Sequence, residues 1–276
     1  MRKKVMVIIC ATIFLVAAAV SFFKFTYAGQ SFIYKTFGGN NLHLNSGDKE
    51  LYWFDVWHSN DPGDPMFKRI ESDFIKFAPD LVLVEGGFNT FEGNRDEAVL
   101  QGESAFATYL AKQSGVEVEN IEPSYPEQIA YLQTKHQPEM VLAMYLIRDI
   151  CTKADMPVDM DFDLNAYLVK ETQTLVEDGL DVGANTLDEI LSIVNSYLPQ
   201  KIDADTWRNA KGVSEVYNKE SGVLYPVYND IYLFRNIHVV ELIREKQSSY
   251  SRIFIVMGGQ HLIDTKAQLQ EMYGVS

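Results

Sequence analysis

One stretch, Ser251–Asp264 (SRIFIVMGGQHLID), constrains the fold more than any other part of the chain. Five apolar residues from Ile253 to Met257 run without a break into Gly258-Gly259-Gln260-His261, and a helical pattern follows from Leu262. An uninterrupted apolar run of this kind predicts a strand buried on both faces, as in a parallel sheet covered by helices. The paired glycines after it predict a tight turn and a close backbone approach at the strand's carboxyl end. His261 then stands where open α/β sheets hold their ligands.

Three earlier stretches repeat the pattern. Leu51–Trp57 (LYWFDVW) is rich in aromatic and β-type residues and runs into His58, followed by the polar, turn-forming segment from Ser59 to Pro65. Pro65 opens a helix whose apolar positions Met66, Phe67, Ile70, Phe74 and Phe77 keep helical spacing. Leu81–Val84 is the next buried strand and delivers Glu85-Gly86-Gly87. A helix is expected near Glu103–Ser114, a third strand over Val116–Ile121 ending at Glu122-Pro123, and helices over Glu127–Leu132 and Met140–Ile150. This alternation predicts an α/β fold, a mostly parallel sheet flanked by helices. Ahead of it, Ser31–Gly47 reads as a lead-in hairpin turning at Gly38-Gly39-Asn40-Asn41.

Residues 155–230 break the alternation. They are acidic and helical in period, and read as a helical cap inserted into an α/β domain that spans residues 30–276. Asp155–Asp163 alternates acids but lacks the glycine and the final Glu of a calcium loop, so it reads as a solvated stretch. Asp230 is expected to cap a helix from Ile231 to about Lys246, which carries Arg235-Asn236.

Residues 1–29 are a separate segment. Arg2-Lys3-Lys4 precede 19 residues, Val5–Phe23, interrupted only by Thr12 and Ser21. At about 1.5 Å per residue this run spans roughly 28 Å, close to the hydrocarbon thickness of a bilayer. It predicts a single-pass transmembrane anchor with a cytoplasmic amino terminus and the α/β domain outside the cytoplasm. Thr26-Tyr27-Ala28 also offers a small-residue cleavage site, the alternative being a signal peptide and a secreted product. The segment holds four basic groups and no acid, which leaves 20 basic against 38 acidic residues, or -18, for the rest of the chain. Such a surface argues against nucleic acid as a partner. Cys151 is the only cysteine beyond the segment, so no internal disulfide can form there.

If the four strands are parallel, His58, Glu85, Glu122 and His261 gather at one sheet edge. Two imidazoles and one or two carboxylates are ligand types that suit Zn²⁺, Mn²⁺ or Fe²⁺. The same set could work without a metal, one His serving as general base for a water and a carboxylate orienting it. Arg235, at helical spacing from Ile231 and Val239, could steady a substrate carboxylate or a developing oxyanion. Plainer roles exist for each: His58 bonding its own turn, Glu85 in an ion pair with Arg235, Glu122 capping the next helix. His136 and His238 sit within helical patterns and read as surface or packing residues, and His43 has no assigned role. The chain contains no internal repeat, P-loop, G-x-S-x-G or H-E-x-x-H motif.

Four of these places together resemble the TraB/GumN family, part of a wider group with the Tiki metalloproteases, the erythromycin esterases and the haem-binding ChaN-like proteins. They are a first G-x-x-H-like motif, Asp55-Val56-Trp57-His58; a strand delivering a Glu, Leu81-Val82-Leu83-Val84-Glu85-Gly86; a late helix with Phe234-Arg235-Asn236; and a second G-x-x-H, Gly258-Gly259-Gln260-His261. The resemblance covers roughly residues 48–275, and the acidic middle is only loosely comparable. It departs from the family at Asp55, where the pattern has Gly. It implies a membrane-anchored hydrolase of a peptide or ester bond in a peptide or small-molecule substrate. His58, Glu85 and His261 would hold a divalent transition metal (Mn, Co, Zn or Fe) whose bound water attacks the carbonyl. Arg235 would stabilise the developing charge, and Asn236, Gly258 and Glu122 would bind substrate. A close variant is metal-free, esterase-like hydrolysis with His58 as base. The other class it implies is a non-enzymatic binder of haem, a metal or a peptide at the same edge.

Overall fold

The computed structural model describes residues 40–155 and 162–275. The anchor expected over residues 1–29, the first half of the lead-in hairpin's expected turn and most of Asp155–Asp163 lie outside these residues. Among the described residues no helix is long and apolar enough to cross a membrane. The chain forms two compact units, one built from residues up to Glu122 and from Val240 onward, the other from Pro123–Val239.

The first unit is a mixed, mostly parallel five-stranded sheet flanked by helices. Strand β1 (Leu42–Ser46) pairs antiparallel with β2 (Lys49–Val56). The hairpin joining them turns at Gly47-Asp48, downstream of the expected turn, with Gly47 at φ 65° where a side chain would be strained. Strands β3 (Leu81–Val84), β4 (Glu117–Asn120) and β5 (Arg252–Gly258) complete the order β1-β2-β5-β3-β4. β5 lies parallel to both β2 and β3, and β3 lies parallel to β4. The apolar runs predicted to be buried on both faces are so: Leu81–Val84 and Ile253–Met257 are at most 1% exposed.

Side chains alternate across each strand, and the two faces take different partners. Phe54, Val56, Val82, Val84, Phe254 and Val256 form one core with helices α1 (Pro65–Phe77) and α3 (Glu103–Gln113). The five apolar positions expected on α1 are all buried, and Asp64 caps it by accepting from Met66 N–H at 2.9 Å. A short helix α2 (Arg95–Gln101) precedes α3, and Gly102 at φ 101° breaks the chain between them. Edge strand β4 is only half-buried and carries charge: Glu119 meets Lys246 Nζ at 2.6 Å, and Glu117 accepts from Tyr250 Oη at 2.6 Å. That bond holds the Tyr250 hydroxyl up at about 12. A charged edge of this kind discourages further strand pairing.

The second unit is helical: α4 (Tyr125–Gln133), α5 (Pro138–Asp155), α6 (Leu164–Glu177), α7 (Leu187–Tyr197), the short α8 (Glu215–Asn218) and the first part of α9 (Tyr225–Lys246). It is wider than the insertion expected over 155–230. The reason is α5: Val141 to Met144, Leu146 and Ile147 are fully buried, so its middle is apolar all round and forms the centre of the unit's own core. Two expected caps are also corrected. Ser124, not Glu122, starts α4, in a reciprocal capping box with Glu127. Asp230 lies inside α9 and caps nothing; its carboxylate binds Lys135 Nζ at 3.0 Å and His136 Nε2 at 2.8 Å.

The stretch that opens the prediction behaves differently from expectation in one respect. β5 passes directly into α10 (Gly259–Met272) with no turn, and Gly258 sits at φ -56°. Gly259 is there for close approach rather than for an unusual backbone angle. A Cβ on Gly259 would drive into the carboxylate of Asp55.

Candidate functional site

The parallel register brings the expected strand ends to one edge. Val56 pairs with Gly258 and Val84 with Val256, so β2 and β5 finish level and β3 stops two residues earlier at the same edge. Beyond them, Glu85 accepts the Gly258 N–H at 3.2 Å and Glu122 accepts the Gly86 N–H at 2.8 Å. These two bonds tie the carboxyl ends of β3, β4 and β5 together. Glu122 therefore serves the sheet edge and not the next helix.

A cavity of about 580 Å³ opens at this edge, and His58, Glu85 and Glu122 all line it. The fourth cavity carboxylate-or-imidazole is one that sequence reading missed. Glu103, the first residue of α3, faces His58 with Oε1 2.7 Å from Nδ1, and its Oε2 accepts the Ser59 N–H at 3.3 Å. His58 is exposed at 77% of its side chain while Glu103 is exposed at only 5%. A carboxylate buried that far is tolerable only with partners, and His58 and Ser59 supply them. Its place at the start of α3 adds the favourable end of the helix dipole.

The local chain explains why these two residues meet. Continuing the alternation of β2, His58 falls on the side of Phe54 and Val56, the face that α3 covers. Gly102, at φ 101°, makes the bend from which α3 starts beside this loop. Gly102, followed by the acid that opens a helix, was the only local hint.

His261 goes elsewhere. It occupies the first turn of α10, is 6% exposed, and is not among the residues lining the cavity. Its carbonyl accepts from Thr265 Oγ1 at 2.8 Å. Asp55, by the same alternation on the opposite face from His58, is 3% exposed and sits against Gly259 at the start of that helix. Asp55 also accepts the Asn40 N–H at 3.0 Å and donates its own N–H to Asn41 Oδ1 at 3.0 Å. Among the described residues no three His, Cys, Asp or Glu side chains form a metal-holding group. His58, Glu85 and His261, expected as ligands, are not such a group among the described residues: His58 follows the end of β2, whereas His261 lies on helix α10.

Arg235 and Asn236 lie on α9 within the helical unit, Arg235 half-buried and Asn236 buried. There, burial pushes the Tyr145 hydroxyl up, while the positive charges of Arg148 and Arg235 pull against it. Of the other histidines, His136 is held by Asp230, and His43 meets Glu50 at 3.0 Å on the β1–β2 hairpin.

A histidine whose Nδ1 is held by a carboxylate presents its other nitrogen, Nε2, as the proton acceptor. At the wall of a cavity this is the arrangement of a general base with its orienting group. No family model, curated protein or solved structure matches the chain.

Proposed function

We propose that this chain is a hydrolase of peptide or ester bonds, of TraB/GumN type, in which His58 is the general base and Glu103 orients it. The observation that carries the reading is the 2.7 Å contact between His58 Nδ1 and Glu103 Oε1 at the wall of the strand-end cavity. Glu103 accepts the Nδ1–H and so keeps Nε2 as the acceptor. Nε2 removes a proton from a water as that water attacks the substrate carbonyl carbon. The imidazolium formed is stabilised by the Glu103 carboxylate. It returns the proton to the leaving amine or alkoxide as the carbon–heteroatom bond breaks, which regenerates neutral His58. Glu85 and Glu122 hold the backbone of the cavity wall through Gly258 and Gly86. In this proposal residues 1–29 are a membrane anchor that leaves the α/β domain outside the cytoplasm.

The test is turnover of a panel of peptides and aryl esters by the full chain, wild type beside His58→Ala, after chelator treatment. Turnover that survives chelation and is lost in His58→Ala supports the reading. Turnover unaffected by His58→Ala overturns it, and uptake of haem or peptide with no turnover assigns the chain to the binding class instead.

A further inference from the structure

The bend between α2 and α3 runs along the cavity wall, and Leu100, Gln101, Gly102 and Glu103 all line it. Glu103 is buried and holds His58, but the two residues before Gly102 are exposed. Leu100, at 57% exposure, is a large apolar side chain left in water. A single exposed leucine is ordinary on an open surface. This one stands in a cavity with a second apolar side chain, Phe88, whose ring packs over Gly86: a Cβ there would come within 3.2 Å of it. Gln101 has a counterpart in Asn60, which is also exposed, also lines the cavity and stands two residues past His58. Neither carboxamide holds a hydrogen bond to another described residue. Each offers an acceptor and two donors, the complement of a peptide group's N–H and C=O. Ligand cavities combine apolar wall with a few polar groups that fix orientation in this way.

Resting on the hydrolase reading of the same cavity, we propose that its substrate is a peptide with an apolar side chain. The side chain packs against Leu100 and Phe88, and the carboxamides of Asn60 and Gln101 pair with the adjoining peptide group.

The test separates binding from turnover. Binding of N-acetyl-leucinamide and of N-acetyl-glycinamide to the full chain is measured by calorimetry. The leucine compound is expected to bind about tenfold tighter, the factor that burial of its side chain supplies. Leu100→Ser should cut that ratio to about threefold or less. Asn60→Ala and Gln101→Ala should weaken both compounds by about 2–10-fold, the worth of a neutral hydrogen bond, and leave the ratio as it was. Equal binding of the two compounds, binding of neither, a ratio untouched by Leu100→Ser, or affinities untouched by both alanine variants overturns the proposal. Turnover is then read on the p-nitroanilides of N-acetyl-leucine and N-acetyl-glycine. Faster turnover of the leucine anilide, lost in His58→Ala, supports both the site and the hydrolase reading. Selective binding with neither anilide hydrolysed removes the hydrolase reading and leaves the peptide site standing. Hydrolysis of both at equal kcat/KM overturns the apolar selectivity and leaves the hydrolase reading in place.

Discussion

The carboxylate of Asp55, at the end of β2, fills the space that a side chain at Gly259 would need at the start of α10. The two residues lie on neighbouring parallel strands' ends, and each accounts for the other. Gly259 supplies the room that the Asp55 carboxylate occupies. Gly259→Ala is expected to destabilise the chain by about 1–3 kcal/mol through overpacking. In an Asp55→Gly background the same substitution should cost less than half as much. A double-mutant cycle in urea measures this coupling, and additive costs would show that the contact is not shared.

His58 and Glu103 should behave as one unit in catalysis. His58→Ala and Glu103→Gln are each expected to lower kcat/KM by about 10²–10⁴-fold, the usual worth of a positioned general base. The double variant should be little worse than either alone, since groups acting together are not additive. Because His58→Ala takes away one of the two partners of the buried Glu103 carboxylate, it should also lower Tm, by about 4 °C or more. Single-turnover rates on the ester panel, read with thermal melts, decide whether the loss is chemical or structural.

Stability of the helical unit should depend on pH through Glu171. Burial first, and then the neighbouring negative charge of Asp149, raise its pKa above 4.5. A carboxyl raised in the folded state contributes stability that is present below its unfolded pKa and lost as pH rises through the folded one. Glu171→Gln is therefore expected to melt about 1–2 °C higher than wild type at pH 7. The gap should close as the pH is lowered below 4.5, the ordinary value for the side chain. Melts across that range check the sign.

The α4 capping box gives the opposite dependence. Glu127 accepts from Ser124 Oγ and from Ser124 N–H, both at 2.7 Å, and these bonds lower its pKa. Its contribution is present at neutral pH and lost as pH falls through the folded value. Ser124→Ala should cost about 1 kcal/mol near pH 7, and less in acid, where Glu127 is protonated in both proteins.

Much of the sheet was legible in the sequence because burial there is local in pattern. Ile253–Met257 and Leu81–Val84 are apolar at every position, a pattern that suits a strand covered on both faces, and the helical spacing from Met66 to Phe77 suits one covered face. Caps were less legible. Ser124 and Glu122 are two residues apart, and only the tertiary contact with Gly86 shows that Glu122 is engaged elsewhere. The width of the helical unit was hidden for a similar reason: α5 has a period that fits either a sheet-covering helix or the core of its own unit.

The sequence by itself determined that four strand ends carry His58, Glu85, Glu122 and the Gly-Gly-Gln-His segment, and that the strands run parallel. Tertiary structure alone decided which of those side chains work together. Parity places His58 on the face covered by α3 and Asp55 on the other, beside the start of α10. His58 thus finds Glu103, 45 positions away, while His261 is buried in a helix outside the cavity lining. Periodicity records how deeply a residue is buried, but not which distant helix start packs beside it. That pairing depends on the packing of α3 against the sheet and on the bend that Gly102 makes at φ 101° before it.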